Sequence, residues 1–177
     1  QKKEQNNTAV EQTENQVNCA LYWDMGLGKT FGGSEKMMQY GNRINLVICQ
    51  KSKVNDWVNH FKEHYGVVPY DLTKKTQFQC FLLDMKTDAI MTDEELAYFG
   101  RDHMIVAIIN YELAWRKPVL KGLRDFTLML DESSLIQNPT AKQSKFVLKL
   151  GDNAENVILL SGTPTSGKYE NLWTQIH

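Results

Sequence analysis

The sequence predicts an α/β domain of three layers, in which a mostly parallel sheet is flanked by helices. Two observations predict this fold: short apolar runs of strand length recur along the chain, and helical stretches separate them. The runs lack the alternation of polar and apolar residues that a half-exposed strand shows. We therefore expect strands that are buried on both faces, as in a parallel sheet.

Five apolar runs are the predicted strands, at residues 20–23, 46–49, 104–109, 126–130 and 157–160. Helices are predicted at residues 54–65, 94–99 and 140–150, and Thr92 with Glu95 forms a capping box for the second of these. Residues 73–90 fit either a strand or a turn of buried helix, because their bulky apolar side chains cluster without a clear period.

Composition excludes several classes of protein. Of 177 residues, 42% are hydrophobic, and 20 Lys and Arg stand against 21 Asp and Glu. This chain can bury a core, and its net charge of −1 gives no general attraction to nucleic acid. A polyanionic partner must therefore be held by local groups. Residues 1–18 are polar and are expected to form an arm, while residues 19–177 are expected to form one domain.

Cysteine usage and hydropathy indicate the compartment. Cys19, Cys49 and Cys80 are an odd number at wide spacing, which fits neither a disulfide framework nor a zinc site. We expect a reducing compartment, cytoplasmic or nuclear. The longest apolar run, residues 104–109, is far short of the roughly 18 residues of a membrane span, so no membrane partner is expected.

A glycine loop follows the first predicted strand. It consists of Asp24, Met25, Gly26, Leu27, Gly28, Lys29 and Thr30. Glycines let backbone N–H groups converge on phosphate oxygens, the lysine reaches the β and γ phosphates, and the threonine hydroxyl can bind Mg²⁺. Trp23 stands where a strict Walker A pattern has a small residue, and an ordinary glycine turn before a helix is the alternative. The loop predicts binding of ATP with Mg²⁺.

An acidic pair follows the fourth predicted strand. Asp131 and Glu132 come at its carboxyl end, where ligands bind in open α/β sheets. Asp131 would hold Mg²⁺ through water, and Glu132 would deprotonate the water that attacks the γ phosphate. Alternatively, both carboxylates cap the next segment.

The last predicted strand ends in Ser161, Gly162, Thr163 and Pro164. These hydroxyl groups could sense the γ phosphate and relay its loss, although a turn that leaves a strand has the same composition. The phosphate loop, the acidic pair and the hydroxyl pair occur in this order at three strand ends, which favours the functional interpretation.

These motifs resemble those of the first RecA-like lobe of superfamily 2 helicases, and in particular of the SNF-type DNA translocases. The resemblance runs from about residue 21 to residue 173. It implies a RecA-like P-loop NTPase fold and an ATP hydrolase that moves on nucleic acid, with double-stranded DNA as the expected track. The glycine loop is similar to motif I, residues 131–134 to the DExx motif II, and residues 161–164 to motif III.

Two further segments resemble nucleic-acid motifs of that family. Residues 47–61 are similar to motif Ia and residues 108–112 to motif Ib. The resemblance places two groups of residues on the surface that tracks the strand: Lys51, Ser52 and Lys53, and Asn110, Tyr111 and Glu112. Ser52 suits a helix N-cap, beside free N–H groups that bind phosphate. Ordinary turns between strand and helix are the alternative.

The sequence departs from the family pattern at three points. Ser134 replaces the histidine of DEAH-type boxes, and the adenine-contacting glutamine has only Gln1, Gln5, Gln12 and Gln16 as candidates. No arginine follows Arg124. The resemblance therefore implies that a second RecA-like lobe of the parent chain supplies the arginine finger.

Four alternatives stay open at this point. His60 and His64 fit the HxxEH pattern of a zinc protease, but the predicted apolar stripe of their helix, which includes Trp57, leaves them on a solvated flank. The basic stretch of Trp115, Arg116, Lys117, Lys121 and Arg124 fits nucleic-acid binding as well as a solvated helix face. A small kinase would need a lid that is not evident. A nucleotide-binding docking module without catalysis is the last alternative.

Overall fold

The computed structural model describes residues 18–22, 27–132 and 141–161, and these contain one parallel sheet. Its six strands are β1 (Asn18–Tyr22), β2 (Ile44–Cys49), β3 (Tyr70–Asp71), β4 (Ile105–Asn110), β5 (Phe126–Leu130) and β6 (Asn156–Ser161). Their order across the sheet is β1-β6-β5-β2-β4-β3, and every neighbouring pair is parallel. The carboxyl ends of all six strands therefore meet at one edge of the sheet.

Six α-helices lie in the described ranges. They are α1 (Leu27–Tyr40), α2 (Val54–Tyr65), α3 (Lys75–Asp88), α4 (Asp93–Tyr98), α5 (Tyr111–Ala114) and α6 (Lys142–Asn153), with 3-10 turns at Lys51–Lys53 and Pro118–Gly122. None of these helices is long and apolar enough to cross a bilayer.

Two apolar clusters cover the two faces of the sheet. Successive residues of β2 point to opposite faces, so that Leu46 enters one cluster and Val47 the other. α1 and α2 pack on the face of Val47, where Trp57 and Phe61 are buried. α3, α5 and α6 contribute to the cluster on the opposite face. The predicted three-layer α/β architecture is confirmed.

All five predicted strands are present, and their bounds shift by at most two residues at either end. β1 begins at Asn18, one residue inside the segment expected to be the polar arm. Helix α2 has the predicted bounds, and α4 carries the predicted capping box: Thr92 N–H donates to Glu95 Oε2 at 2.8 Å, and Glu95 N–H donates to Thr92 Oγ1 at 3.2 Å.

Residues 75–88 of the ambiguous segment form helix α3, so the strand alternative is wrong and the helix is longer than the single turn considered as the other alternative. Phe78 and Phe81, three positions apart, are the buried apolar side chains of this helix. The two-residue strand β3, just before it, was not predicted, since so short a strand leaves no apolar run to detect.

An ion-pair network fixes the end of α3. Asp88 accepts hydrogen bonds from Arg43, which precedes β2, and from Arg101, which precedes β4. Burial acts to raise the pKa of Asp88, but the bonds from Arg101 and Arg43 outweigh it and hold that pKa below its usual value. The network therefore joins α3 to the beginnings of two central strands.

Candidate active site

The candidate site lies at the carboxyl edge of the sheet, where the first turn of α1 meets the residues that follow β5. Gly28, Lys29 and Thr30 are in the first turn of α1. Asp131 follows β5, and its backbone N–H donates to the carbonyl of Ile48 at 2.8 Å, which continues the pairing with β2. Lys29 and Glu132, which are 103 positions apart in the sequence, are thereby brought into contact.

One lysine faces two carboxylates at this edge. Lys29 Nζ lies 2.5 Å from Glu132 Oε1 and 3.5 Å from Asp131 Oδ1. The side chains of Lys29 and Asp131 are only 10% and 11% exposed. Because buried charges are stable only when they are compensated, these three groups form one electrostatic unit.

Asp131 has two further hydrogen bonds, both from other elements. Trp57 Nε1–H donates to Asp131 Oδ2 at 2.8 Å, and the Tyr111 hydroxyl donates to the backbone carbonyl of Asp131 at 2.6 Å. Asp131 Oδ1 is buried and accepts no hydrogen bond from any described residue. A buried carboxylate oxygen with spare acceptor capacity fits a hard cation such as Mg²⁺.

Glu132 has an unusual backbone conformation. Its φ is +50°, in the left-handed region that residues other than glycine rarely adopt. Such strain often occurs at functional sites, where the surrounding contacts maintain it. Here the contacts are the ion pair with Lys29 and the bond from Tyr111 to the preceding carbonyl.

His60 supports the helix that carries the phosphate loop lysine. The Ser34 hydroxyl donates to the Thr30 carbonyl at 2.8 Å, and His60 Nε2 lies 2.8 Å from the same hydroxyl oxygen. Through this hydroxyl, His60 connects α2 to the first turns of α1. Burial, and secondly the neighbouring His64, lower the pKa of His60 to about 4, so its ring is neutral near pH 7.

The prediction of a solvated flank for both histidines is wrong for His60, which is buried, and correct for the exposed His64. α1 packs against this side of α2 and covers His60, which a helical period alone does not reveal. Among the described residues, no group of three or more His, Cys, Asp and Glu is placed to hold a metal ion.

A surface pocket of about 500 Å³ lies beside the ends of β2, β3 and β4. The lining residues are Lys51, Val54, Asn55, Asp71, Thr73, Lys74, Asn110, Glu112, Leu113 and Arg116. Lys74 lies 3.9 Å from Asp71 and Arg116 lies 3.8 Å from Glu112, whereas Lys51 has no ion pair with a described residue. Two of the predicted nucleic-acid segments thus meet in one partly basic pocket.

Two details of those segments differ from expectation. Ser52 does not cap α2, because a 3-10 turn, Lys51–Lys53, precedes the helix and Lys53 occupies the N-cap position without a side-chain bond. Tyr111 is not on the surface: its side chain is buried and its hydroxyl points to Asp131. Ser52 and Lys53 are exposed but do not line the pocket.

The basic stretch after α5 is divided in the structure. Arg116 lines the pocket. Lys117 and Lys121 lie over the rings of Phe78 and Phe146, at 4.7 and 5.5 Å from the ring centroids. These two lysines cover the apolar cluster on that side of the sheet. Most of the stretch is therefore a solvated surface whose lysine side chains also pack on aromatic rings.

Several predicted site residues lie outside the described residues, namely Asp24, Met25, Gly26, Gly162, Thr163, Pro164 and Ser134. The candidate glutamines Gln1, Gln5, Gln12 and Gln16 lie outside them as well. Leu27 begins α1 and Ser161 ends β6.

Sequence analysis missed three residues that contact the site: Ser34, Trp57 and Tyr111. A signal existed for two of them, since a buried Trp or Tyr usually needs a partner for its N–H or O–H. Trp57 was assigned to the apolar stripe of α2 and Tyr111 to the surface, so their polar atoms were not matched to Asp131. Ser34 gave no signal, because its partners come from the fold.

The family model of the SNF2-related domain matches residues 2–177. The chain belongs to the SNF2-related domain family. Its resemblance to the first RecA-like lobe of superfamily 2 helicases, drawn from the motifs, is confirmed.

Relatives of this SNF2-related chain are much longer proteins. The human SWI/SNF-related matrix-associated actin-dependent regulator of chromatin subfamily A member 1 is 29% identical over 170 residues, which cover 93% of this chain and 15% of that protein. The chromatin-remodeling ATPase INO80 of Kluyveromyces lactis is 25% identical over 171 residues, 91% of this chain and 11% of that one. The chain therefore spans a small part of the length of these relatives.

A solved structure shows the same fold. The SWI2/SNF2 ATPase core of Sulfolobus solfataricus, determined in complex with double-stranded DNA, superposes with a TM-score of 0.69 at 22% identity. The match covers 99% of this chain and 34% of that one. The RecA-like three-layer fold predicted from the sequence is thereby confirmed.

Proposed function

We propose that this chain is the ATP-binding lobe of an SNF-type translocase. It binds ATP with Mg²⁺ and, together with a second RecA-like lobe of the parent chain, couples hydrolysis to movement along double-stranded DNA. The observation that carries this proposal is the ion-paired unit of Lys29, Asp131 and Glu132 at the carboxyl edge of a parallel sheet. Membership of the SNF2-related family supports it.

Each residue of the site has a specific role in this proposal. The backbone of residues 24–30 and the ammonium of Lys29 bind the phosphates, aided by the N-terminal end of α1. The Thr30 hydroxyl, and Asp131 Oδ1 through water, would hold Mg²⁺, which would neutralise charge on the phosphates. Glu132 orients the attacking water and accepts its proton. Ser161, Gly162 and Thr163 transmit the state of the γ phosphate.

The nucleic-acid surface is the pocket, with Lys51, Asn110 and Arg116 as its phosphate contacts and Ser52 and Lys53 beside it. Such contacts position a protein on the backbone without reading bases. The Sulfolobus protein was determined with double-stranded DNA, which supports this choice of track. The free thiols of Cys49 and Cys80 are consistent with a reducing compartment, cytoplasmic or nuclear.

Calorimetric titration with ATP and Mg²⁺ tests the proposal. Lys29→Ala should weaken binding about 10- to 100-fold, because a hydrogen bond to a charged group is lost. Lys62→Ala is the matched control, since Lys62 is an exposed lysine of α2. Equal affinities in Lys29→Ala and the unmodified chain would show that the phosphates bind elsewhere.

A further inference from the structure

Asp131 is held by residues outside the phosphate loop and the acidic pair. Trp57 comes from α2 and Tyr111 from the first position of α5, and both are buried, at 3% and 5% exposure. Both donate to Asp131, one to its side chain and one to its backbone. These two hydrogen bonds therefore connect the site to two neighbouring elements.

The bond from Trp57 decides which way the carboxylate faces. An indole N–H only donates, so it occupies Oδ2 with a fixed direction. Oδ1 is then turned towards Lys29, 3.5 Å away, and accepts no hydrogen bond from a described residue. Without the indole N–H, the carboxylate plane could rotate about the Cβ–Cγ bond, and Oδ2 would lose its partner.

The hydrogen bond from Tyr111 affects the backbone of the residue after Asp131, Glu132. Its acceptor is the carbonyl of the peptide that joins Asp131 to Glu132, and the φ angle of Glu132 is +50°. The direction of that carbonyl and the φ of the following residue are linked, because the peptide unit is planar. Tyr111 therefore stabilises the strained backbone that brings Glu132 to Lys29.

We propose that Trp57 and Tyr111 are positioning residues of the site: Trp57 orients the Asp131 carboxylate so that Oδ1 is presented to the Mg²⁺ of the bound nucleotide, and Tyr111 fixes the backbone that carries Asp131 and Glu132. This proposal rests on the proposed function. Outer partners that orient a metal ligand typically change metal affinity by about 10- to 100-fold when they are removed. The effect should appear in the Mg²⁺ dependence of nucleotide binding.

The experiment measures the affinity of the whole chain for ATPγS, a slowly hydrolysed ATP analogue, with Mg²⁺ and with EDTA. The ratio of the two dissociation constants reports the metal alone. Trp57→Phe and Tyr111→Phe remove one donor each while keeping an aromatic ring. We expect the Mg²⁺-dependent ratio to fall about tenfold in Trp57→Phe and by a smaller factor in Tyr111→Phe. Affinity in EDTA should stay within about twofold, since neither residue is proposed to contact phosphate.

Two matched controls remove the same chemical groups elsewhere. Trp115→Phe removes an indole N–H that does not contact Asp131, and Tyr70→Phe removes a hydroxyl that bonds Asp84 instead. Unfolding temperatures without nucleotide separate positioning from a general loss of stability, which would weaken binding in both conditions alike. If Trp57→Phe does not fold, Tyr111→Phe decides alone.

The possible outcomes separate this proposal from the proposed function. An unchanged Mg²⁺ ratio in the variants, or an unmodified chain whose binding ignores Mg²⁺, overturns the positioning role. Such results leave nucleotide binding itself intact. Failure of the unmodified chain to bind ATPγS in either condition overturns the proposed function, and the positioning role with it.

Discussion

At the scale of single residues, the charges of the site depend on one another. Lys29 compensates Asp131 and Glu132, all three within a partly buried edge of the sheet. Removing one member of such a unit leaves uncompensated charge, which costs stability as well as binding. Lys29→Ala is therefore expected to lower the unfolding temperature, and its affinity is to be measured below that temperature.

His60 gives a prediction on pH. Its pKa is about 4 in the folded chain and about 6.5 when unfolded, so between these values the unfolded chain binds more protons. Stability contributed by His60 is thus present near pH 7 and is lost as the pH falls. We expect His60 to account for about 2 kcal/mol of the unfolding free energy lost between pH 7 and pH 5.

Urea unfolding at pH 7 and pH 5 measures this loss. His60→Gln cannot titrate, and its loss over the same interval should be smaller by that amount. His103→Gln, which changes an exposed histidine in the loop before β4, serves as the control. Identical pH dependence in His60→Gln and in the unmodified chain would contradict the burial argument.

At the scale of elements, the position of Lys29 depends on how closely α1 lies on the sheet. Gly33 faces β5 and β6, and a Cβ atom there would lie 2.8 Å from Met129 Sδ and 3.0 Å from Leu160 Cδ1. The first distance is shorter than real Cβ contacts and the second is tighter than most, and the side chains of Met129 and Leu160 are fully buried, with little room to shift. The absence of a side chain at Gly33 therefore allows the helix to pack here.

Gly33→Ala should therefore destabilise the chain by about 1 to 3 kcal/mol, the usual cost of overpacking. Helix propensity alone predicts the opposite sign, since alanine favours a helix over glycine by about 1 kcal/mol. Gly122→Ala is the control, because a Cβ at Gly122 would meet no atom within 4 Å. Thermal unfolding of both variants gives the comparison, and a stabilised Gly33→Ala would rule out the close approach.

The helices and strands predicted most accurately are those whose positions follow from a single local sequence pattern. The strands at β2, β4, β5 and β6 follow from apolar runs, and the capping box of α4 follows from two residues at fixed spacing. α3 could not be decided, because its apolar side chains define only a narrow buried face. The turn at Lys51–Lys53 was missed because Ser52 is by itself a good N-cap, and the fold uses another geometry.

At the scale of the whole molecule, the sheet order places the site. β5 is paired with β2 on one side and with β6 on the other. Asp131, which follows β5, therefore lies between the end of β2, which leads to α2, and the end of β6, which lies beside β1. The sequence predicted Lys29, Asp131 and Glu132 because strand ends in a parallel sheet share an edge. It did not predict that Trp57 and Tyr111 bond to Asp131 or that Ser34 bonds to Thr30, because these partners are set by packing between helices and sheet.

The arginines of the chain are all placed away from the site. Arg43 and Arg101 bond Asp88, Arg116 lies near Glu112, and Arg124 bonds nearby carbonyls. None of these described arginines contacts Lys29, Asp131 or Glu132. An arginine finger is worth about 10³ to 10⁵ in rate in phosphoryl transfer.

We therefore expect a polypeptide of residues 1–177 to bind ATP but to hydrolyse it slowly, with little stimulation by duplex DNA. Steady-state phosphate release at saturating ATP and Mg²⁺ checks this, with Glu132→Gln as the background control. Addition of the polypeptide that the downstream region of the parent gene encodes should raise the rate. Turnover on the order of 1 per second or faster by residues 1–177 alone would show that another group here stabilises the transition state.

Chemical labelling shows whether nucleotide phosphates bind at Lys29. An acyl-phosphate derivative of ATP acylates a lysine that lies next to its phosphates, and mass spectrometry of the digested chain locates the modified residue. We predict that Lys29 is labelled and that excess ATP with Mg²⁺ protects it, while Lys62 is not protected. Protection confined to lysines of the pocket, Lys51 or Lys74, with Lys29 unlabelled, would contradict the account.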